Sequence, residues 1–169
     1  MRAVHVTQSG DPASSVAVAE VETPTPGPGE ARVAVDAVAL NRLDVFARLG
    51  HPAESDEFPK RTGVDIAGTV DAVGEGVDDT LLDTDVVVYP VVECGECEFC
   101  HAGEQTLCPT YEIIGEDRPG GLAEYVTVPA HTLEPVPDEL SMETAAATPV
   151  AFTTAWRMIV TTGRLRPSE

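Results

Sequence analysis

The sequence predicts a mainly β fold with a few helices, and three observations carry this prediction. Short segments in the first two thirds of the chain alternate apolar and polar residues, as half-buried strands require. Clusters of proline and glycine separate these segments, which is typical of turns between strands. Helical spacing of apolar residues is confined to two other segments. Several short strands joined by such turns indicate a sandwich or a barrel.

The strand-like segments follow one another in chain order: 2-RAVHV-6, 31-ARVAVDAVAL-40, 64-VDIAGTVDAV-73 and 122-LAEYVTV-128. Turn chemistry lies around them in 24-PTPGPGE-30, 74-GEG-76 and 118-RPGG-121. The segment 42-RLDVFARLG-50 predicts a short helix with Gly50 at its end. Residues 141–163 predict one helix, a break near Pro149, and a second helix that ends at Gly163.

Composition narrows the function classes. The chain has 169 residues, enough for one hydrophobic core, and its 29 acidic and 10 basic residues give a net charge of −19. The electrostatic field of so negative a protein repels phosphate backbones and anionic lipid, so we expect neither nucleic-acid nor membrane partners. No signal sequence or membrane span is found, which favours the cytoplasm. We attribute the acidity to a high-salt cytoplasm, a hypothesis that equal stability at low and molar salt would contradict.

All four cysteines lie in 94-CGECEFCHAGEQTLC-108, with gaps of two, two and seven residues. Thiolates that converge from two short knuckles suit a tetrahedral Zn²⁺, so Cys94, Cys97, Cys100 and Cys108 are predicted to hold one zinc per chain. An iron–sulfur cluster, redox thiols or disulfides are the alternatives, although the gap of seven differs from the bacterial ferredoxin pattern. Because four thiolates leave no open position, such a zinc is structural.

An ordered series of motifs resembles the N-terminal domain of the medium-chain, zinc-containing alcohol dehydrogenase and quinone oxidoreductase superfamily. The motifs are 26-PGPGE-30, 63-GVDIAGTVDAVGEGV-77, the cysteine segment, 120-GGLAEYVTVPA-130 and 145-AAATPVAFTTAW-156. This resemblance implies a partly open GroES-like β-barrel, a catalytic domain, over residues 1–140, with the zinc lobe at about 93–110. Residues 141–169 would connect it to a Rossmann domain that holds NAD or NADP.

The dinucleotide fingerprint itself is not found in these residues. Its only candidate, 74-GEGVDD-79, lacks the third glycine and precedes no predicted helix, so it is interpreted as a β-turn. We therefore expect the chain to be the catalytic-domain part of a longer enzyme, with the dinucleotide bound mainly by another domain.

The resemblance also shows where a catalytic zinc would be held. In the family a Cys, a His and usually a second Cys ligate it, and these positions fall on Asn41, Val64 and Val150. Valine cannot ligate a metal. The family's proton-relay positions fall on Leu43 and Phe46, which carry no exchangeable side-chain proton. The sequence thus predicts a structural zinc without a catalytic one.

Four further residues have expected roles or positions. Asn41 is expected to donate near the substrate or the nicotinamide, or else to be an ordinary core or turn amide. Arg42 matches a family position that reaches the cofactor pyrophosphate, with a surface ion pair as the alternative. Thr154 matches a contact to the nicotinamide end, or is an ordinary helix threonine. Trp156 is expected in the core because its neighbours are apolar.

Two acidic residues and the histidines complete the candidates. Asp44 and Asp65, the latter beside a lost ligand position, are candidates for burial and for a catalytic role, with salt bridges to Arg42 or Arg48 as the alternative. The histidines show no metal-binding spacing, and none receives a role: His5, His51, His101 and His131.

Loss of the catalytic zinc favours a particular chemistry. Hydride transfer to a simple ketone develops alkoxide charge that needs a Lewis acid, whereas a quinone or enone spreads that charge over its own π-system. The sequence therefore predicts an NAD(P)-dependent oxidoreductase of a small-molecule quinone or activated enone, a homo-oligomer when full length. An alcohol dehydrogenase is the first alternative. A non-catalytic, zinc-stabilised interaction module is the second.

Overall fold

A computed structural model describes residues 1–49 and 58–166 of the chain. Within these residues nine strands form antiparallel sheets. The strands are β1 (Arg2–Val6), β2 (Val16–Glu20), β3 (Glu30–Ala39), β4 (Asp65–Val73), β5 (Asp85–Val88), β6 (Val91–Val92), β7 (Glu112–Ile113), β8 (Tyr125–Pro129) and β9 (Leu133–Pro135).

The largest sheet has five strands in the order β8-β3-β4-β5-β9. Two smaller sheets pair β1 with β2 and β6 with β7. Every pairing of these strands is antiparallel, and the described sheets are open, without closure into a barrel. The predicted class, mainly β with a few helices, is confirmed.

The helices are short and lie between strands or after the last one. They are α1 (Pro12–Ser15), α2 (Arg42–Leu49), α3 (Glu98–His101), α4 (Met142–Ala146) and α5 (Pro149–Trp156), and α5 continues into π-helical turns over Arg157–Thr162. The predicted helix after residue 41 and the predicted break at Pro149 are confirmed. Gly50, expected at the end of the first of these helices, lies outside the described residues.

The core lies on one face of the five-stranded sheet. Alternation along β3 buries Ala31 and Val33, because successive side chains of a strand point to opposite faces. Fully buried partners come from the neighbouring strands: Ile66, Val70, Val86, Val88, Val126 and Val128. On the other side, Ala145 and Ala146 of α4 pack against Ala67 of β4. Small side chains there let the helix approach the sheet, which brings the start of α5 close to the start of β4.

One predicted strand is shorter in the structure, and one predicted turn forms as expected. The segment predicted as a strand at 122–128 becomes one only from Tyr125, because the backbone N–H groups of Gly121 and Leu122 donate to the carbonyls of Gly63 and Thr62 instead of to a sheet neighbour. The predicted turn at 74-GEG-76 is confirmed, with Gly76 at a φ of 82°.

The prediction that Trp156 lies in the core is wrong. The side chain of this residue is 66% exposed, and two other apolar residues of the same region, Phe152 and Met158, are 67% and 66% exposed. Apolar neighbours predict burial only when another element covers the helix, and within the described residues nothing covers this face of α5. None of the described helices is long and apolar enough to cross a lipid bilayer.

Candidate functional site

A cleft of about 620 Å³ lies between α5 with its π-helical extension on one side and β6, β7 and the start of β4 on the other. Its apolar lining consists of Leu43, Val64, Pro90, Val91, Ile113, Val150, Trp156 and Met158, and we call the part formed by Leu43, Val64 and Val150 the apolar end. Polar groups contributed by Tyr89, Gln105, Thr106, Thr153, Thr154, Arg157, Thr161 and Thr162 also line the cleft. An apolar pocket with a few polar groups is the usual form of a small-molecule site.

Three distant segments of the chain meet beside this apolar end. The Asp65 carboxylate accepts a hydrogen bond from Asn41 Nδ2 at 2.8 Å and another from the backbone N–H of Val150 at 2.9 Å. We call these two contacts the Asp65 bridge. Asp65 begins β4, Asn41 precedes α2, and Val150 lies in the first turn of α5, where backbone N–H groups have no partner within the helix. The bridge therefore holds three walls of the site together.

A second buried carboxylate, that of Asp44, holds the backbone next to the Asp65 bridge. Asp44 accepts from the backbone N–H groups of Asn41 and Gly63, both at 2.7 Å. Asp65 and Asp44 are 1% and 8% exposed, which confirms their expected burial. The alternative of salt bridges to Arg42 or Arg48 is wrong within the described residues, because both carboxylates are held by amide N–H groups instead.

Burial shifts the titration of Asp65. It raises the pKa of this carboxyl above its ordinary 3.8, the hydrogen bonds from Asn41 and Val150 oppose the shift, and the nearby Asp44 carboxylate adds to it. Between the unfolded and folded pKa the native state holds a proton that the unfolded chain has lost. The contribution of Asp65 to stability is therefore greatest below the unfolded pKa and falls as the pH rises through the folded pKa.

This sign can be tested with Asp65→Asn, which does not titrate. We expect the free energy of unfolding of the wild type, relative to this variant, to become more favourable as the pH falls from about 7.5 to about 4.5, measured by urea denaturation. All other ionisable side chains are present in both proteins, so the comparison isolates position 65. A difference that is constant with pH would contradict a raised pKa for Asp65.

The three positions at which a catalytic metal was expected lie close together, but their side chains are not metal ligands. Val64 and Val150 present aliphatic side chains to the cleft, and the Asn41 amide donates to Asp65. Among the described residues, the four cysteines form the only cluster of three or more His, Cys, Asp or Glu side chains suited to a metal. The side chains at this end of the cleft thus offer no tetrahedral ligand set.

The cysteine cluster has the geometry of a metal site. The Sγ atoms of Cys94, Cys97, Cys100 and Cys108 all lie within 4.8 Å of one another, and all four are free thiols. Cys97 and Cys100 Sγ are 3.4 Å apart, and Cys94 and Cys100 Sγ are 3.9 Å apart. A tetrahedral Zn²⁺ with Zn–S bonds of about 2.3 Å places its sulfurs about 3.8 Å apart. The donor set therefore fits a closed, structural zinc.

Local structure explains how the cluster forms. Strands β6 and β7 pair and close the base of the loop that carries the cysteines. Hydrogen bonding from the Cys94 backbone lowers the pKa of Cys108 to about 6, whereas burial and neighbouring thiols raise the pKa of Cys100 to about 12. A bound cation favours every thiolate and would oppose the second shift. The predicted ligands thus converge as expected from their spacing.

The predicted cofactor residues lie in different places. Thr154 lines the cleft. Arg42 is exposed, and its guanidinium lies over the ring of Phe46, 5.7 Å from the centroid. Asn41 lies behind the cleft wall and is not one of its lining residues.

Sequence reasoning missed part of the cleft. Tyr89 and Gln105 come from segments without periodicity, and Arg157 forms an ion pair with Glu104 of the cysteine loop. This pair joins the π-helical turns to the zinc lobe. A lone arginine after a helix gives no signal of such a contact, because its partner is 53 residues away in the sequence.

Comparisons with known proteins agree with this geometry. Residues 27–138 match the family model described as Alcohol dehydrogenase GroES-like domain. Starvation-sensing protein RspB of Escherichia coli K12 is 34% identical over 128 residues, covering 76% of this chain and 38% of its own length. Crotonyl-CoA carboxylase/reductase of Cereibacter sphaeroides is 31% identical over 162 residues, covering 93% of this chain and 38% of its own.

A solved structure of an NAD-dependent alcohol dehydrogenase superposes with a TM-score of 0.94 at 46% identity. The match covers all of this chain and 49% of the other. The chain therefore spans between about one third and one half of the length of these relatives.

Proposed function

The chain belongs to the alcohol dehydrogenase GroES-like domain family, and from this premise we propose that it is the substrate-binding part of an NAD(P)-dependent oxidoreductase. The proposed reaction is hydride transfer to a quinone or an activated carbonyl without a catalytic zinc. NAD(P)H supplies the hydride when bound, and one proton from solvent completes the reduction of a quinone to a hydroquinone. The structural zinc holds the lobe that borders the cleft.

One observation carries the choice of substrate class. Where a metal would polarise a carbonyl, the cleft presents Val64 and Val150, and the Asp65 carboxylate beside them is already engaged with amide N–H groups. A developing alkoxide there would have neither a Lewis acid nor a strong donor from these residues. A quinone or enone avoids this cost because the incoming charge is delocalised in its own π-system. The apolar surface also suits a flat, conjugated substrate.

A relative supports the activated substrate. Crotonyl-CoA, named for the Cereibacter protein, is an α,β-unsaturated thioester whose double bond is conjugated with a carbonyl. Reduction of such a bond places negative charge on a conjugated system, as in the enone class proposed here. The similarity covers 93% of this chain and therefore includes most of the cleft.

An alcohol dehydrogenase acting on a simple alcohol or ketone is the second candidate. The solved structure with the TM-score of 0.94 is described as an NAD-dependent alcohol dehydrogenase, and this similarity favours the same reaction here. Under this alternative a metal or another Lewis acid has to be supplied by groups outside the described residues. We place it second because the three expected ligand positions carry no thiol or imidazole.

The domain organisation is part of the proposal. We infer a catalytic domain over residues 1–140 and a connection over residues 141–169 that leads to a nucleotide-binding domain. The exposed apolar face of Phe152, Trp156 and Met158 supports this, because soluble proteins rarely leave such a face uncovered. The second domain would cover it, place the nicotinamide near Thr154 and complete the cleft. Arg42 would then reach the cofactor phosphates.

The zinc content and the substrate preference test this function together. We expect about one zinc per chain in the longer enzyme, and NAD(P)H oxidation with a benzoquinone at least about a hundredfold faster, as kcat/KM, than with a small ketone such as acetone, a difference of about 2.7 kcal/mol. Metal analysis and stopped-flow absorbance measure the two quantities. Two zincs per chain with preferred reduction of the ketone would support the alcohol dehydrogenase instead.

The remaining features of the proposal follow from charge and size. We propose a cytoplasmic protein, a small-molecule substrate and a homo-oligomer of the longer chain. The net charge of −19 suits a high-salt cytoplasm, where counterions screen the repulsion between acidic side chains.

A further inference from the structure

The Asp65 bridge joins residues that are far apart in the sequence. Asn41 precedes it by 24 residues and Val150 follows it by 85. Each joined segment also supplies one apolar side chain to the cleft: Leu43 after Asn41, Val64 before Asp65, and Val150 itself. One buried carboxylate therefore sets the relative positions of the three side chains that form the apolar end.

The chemistry of the bridge is specific. Both carboxylate oxygens accept hydrogen bonds from amide N–H donors, and Asp65 has no cationic partner among the residues that the structure describes. Burial of a carboxylate is costly, and hydrophobic side chains of similar size usually pack at lower cost. A buried polar group of this kind is best explained by the geometry that it imposes. Here that geometry belongs to the walls of the cleft.

We propose that Asp65 is a positioning residue for the reduction described above, and this inference rests on the proposed function. Its carboxylate joins Asn41 to Val150, two of the positions where the family resemblance implies metal ligands, and holds these segments together in place of a metal. It acts through Val150 and Asn41 and does not touch the substrate. Asp44 has a supporting part, because it fixes the backbone of Asn41 and of Gly63.

A donor–acceptor swap tests the bridge in the longer enzyme. A carboxamide has one acceptor oxygen, so Asp65→Asn can satisfy only one of the two donors. We expect this variant to lower kcat with the benzoquinone by about 10- to 100-fold, since displacement of a cleft wall by about an ångström has effects of that size. The double variant Asn41→Asp/Asp65→Asn exchanges the donor and the acceptor. Its carboxamide at position 65 can again accept from Val150 while it donates to the carboxylate at position 41.

Recovery in the double variant is the decisive readout. We expect kcat to return to within about threefold of the wild type. Asp36→Asn, the same chemical change at an exposed position of β3, is the matched control and should leave kcat unchanged. A double variant no more active than Asp65→Asn alone would overturn the proposal, as would full activity of Asp65→Asn.

A second measurement does not depend on the substrate. In Asp65→Ala we expect the backbone amide of Val150 to exchange with deuterium about tenfold faster or more, while the core amide of Val126 in β8 keeps its rate. Unchanged exchange at Val150 would overturn the bridge. If the wild type fails to reduce the quinone but Val150 responds as expected, the proposed function is wrong and the bridge stands. If the alanine variant does not fold, the swap pair carries the test.

Discussion

Replacement of Cys108 by serine is expected to abolish zinc binding and to lower the free energy of unfolding by about 3 kcal/mol or more. Cys108 is 1% exposed and closes the ligand set from the far end of the cysteine loop. Zinc binding to small Cys-rich domains is worth about 10–16 kcal/mol, but here the five-stranded sheet retains its own core, so we expect the lobe to melt first. For a domain of this size the loss corresponds to a fall in Tm of about 10 °C.

The neighbouring histidine provides a matched control. His101 is exposed, lies beside Cys100 and is not a member of the cysteine cluster. His101→Ala should therefore retain one zinc per chain and nearly the Tm of the wild type. Metal analysis and calorimetry distinguish the two variants. A Cys108→Ser protein that keeps its zinc, or that melts like the wild type, would show that these thiolates do not hold a structural metal.

Loss of the lobe should also affect the cleft. Gln105 and Thr106 lie between the last two cysteines and line the cleft, and Glu104 pairs with Arg157 on the opposite side. Removal of zinc by a chelator is therefore expected to weaken substrate binding before the central sheet unfolds. A metal held by these cysteines would thus contribute to the shape of the proposed active site, although a closed set of four thiolates leaves it no position for chemistry.

Substitution of Gly63 by alanine is the second large effect that we expect, at about 2–5 kcal/mol of lost stability. Gly63 has a φ of 98°, a region that costs an L-residue about 1–2 kcal/mol. A Cβ there would also lie 2.7 Å from the backbone N of Leu122 and 2.9 Å from its Cγ. Since this neighbour is backbone within a hydrogen-bonded turn, it cannot move away cheaply, and overpacking adds about 1–3 kcal/mol.

A substitution at Gly76 distinguishes the cost of the positive φ from the cost of the close contact. Gly76 also has a positive φ, 82°, but a Cβ there would meet nothing within 4 Å. Gly76→Ala should therefore show the backbone strain alone, about 1–2 kcal/mol. Urea denaturation measures both variants. Equal losses for the two would mean that the close contact at Gly63 is relieved without cost.

The position of Gly63 links this effect to function. It immediately precedes Val64 and Asp65, and its N–H donates to Asp44. Any shift that relieves the contact with Leu122 will also move the apolar end of the cleft. We expect the part of the Gly63→Ala protein that remains folded to bind quinone more weakly than the corresponding Gly76→Ala protein.

Local patterns allowed several features to be predicted. Alternation in β3 and β4, the helix that begins at Arg42 and the break at Pro149 depend on neighbours within a few residues, and the structure confirms all three. The cysteine cluster also follows from spacing, because two tight knuckles and a returning loop bring the sulfurs within reach of one ion. The residues Asn41, Val64 and Val150 stand at the ligand positions that the family resemblance implies.

Other features depended on contacts that no local pattern records. The apolar neighbours of Trp156 suggest burial, but burial requires a covering element, and none lies over that face in the described chain. The alternative of salt bridges from Asp44 and Asp65 to Arg42 or Arg48 is wrong within the described residues, because amide N–H groups satisfy both carboxylates. The contact of Arg157 was missed since its partner, Glu104, belongs to a different lobe.

The sequence by itself determined the class of fold and the cysteine spacing that suits one metal ion, because both depend on residue type and short spacing. It also shows Asn41, Val64 and Val150 at the positions where the family resemblance implies metal ligands. Only the tertiary structure decided what occupies that place: a buried carboxylate that joins Asn41 to the first turn of α5. Such a contact arises when the sheet and helices pack, and its partners are 24 and 85 residues away along the chain. Packing, which is cooperative over the whole domain, therefore sets the geometry of the site, while the local sequence sets its chemical components.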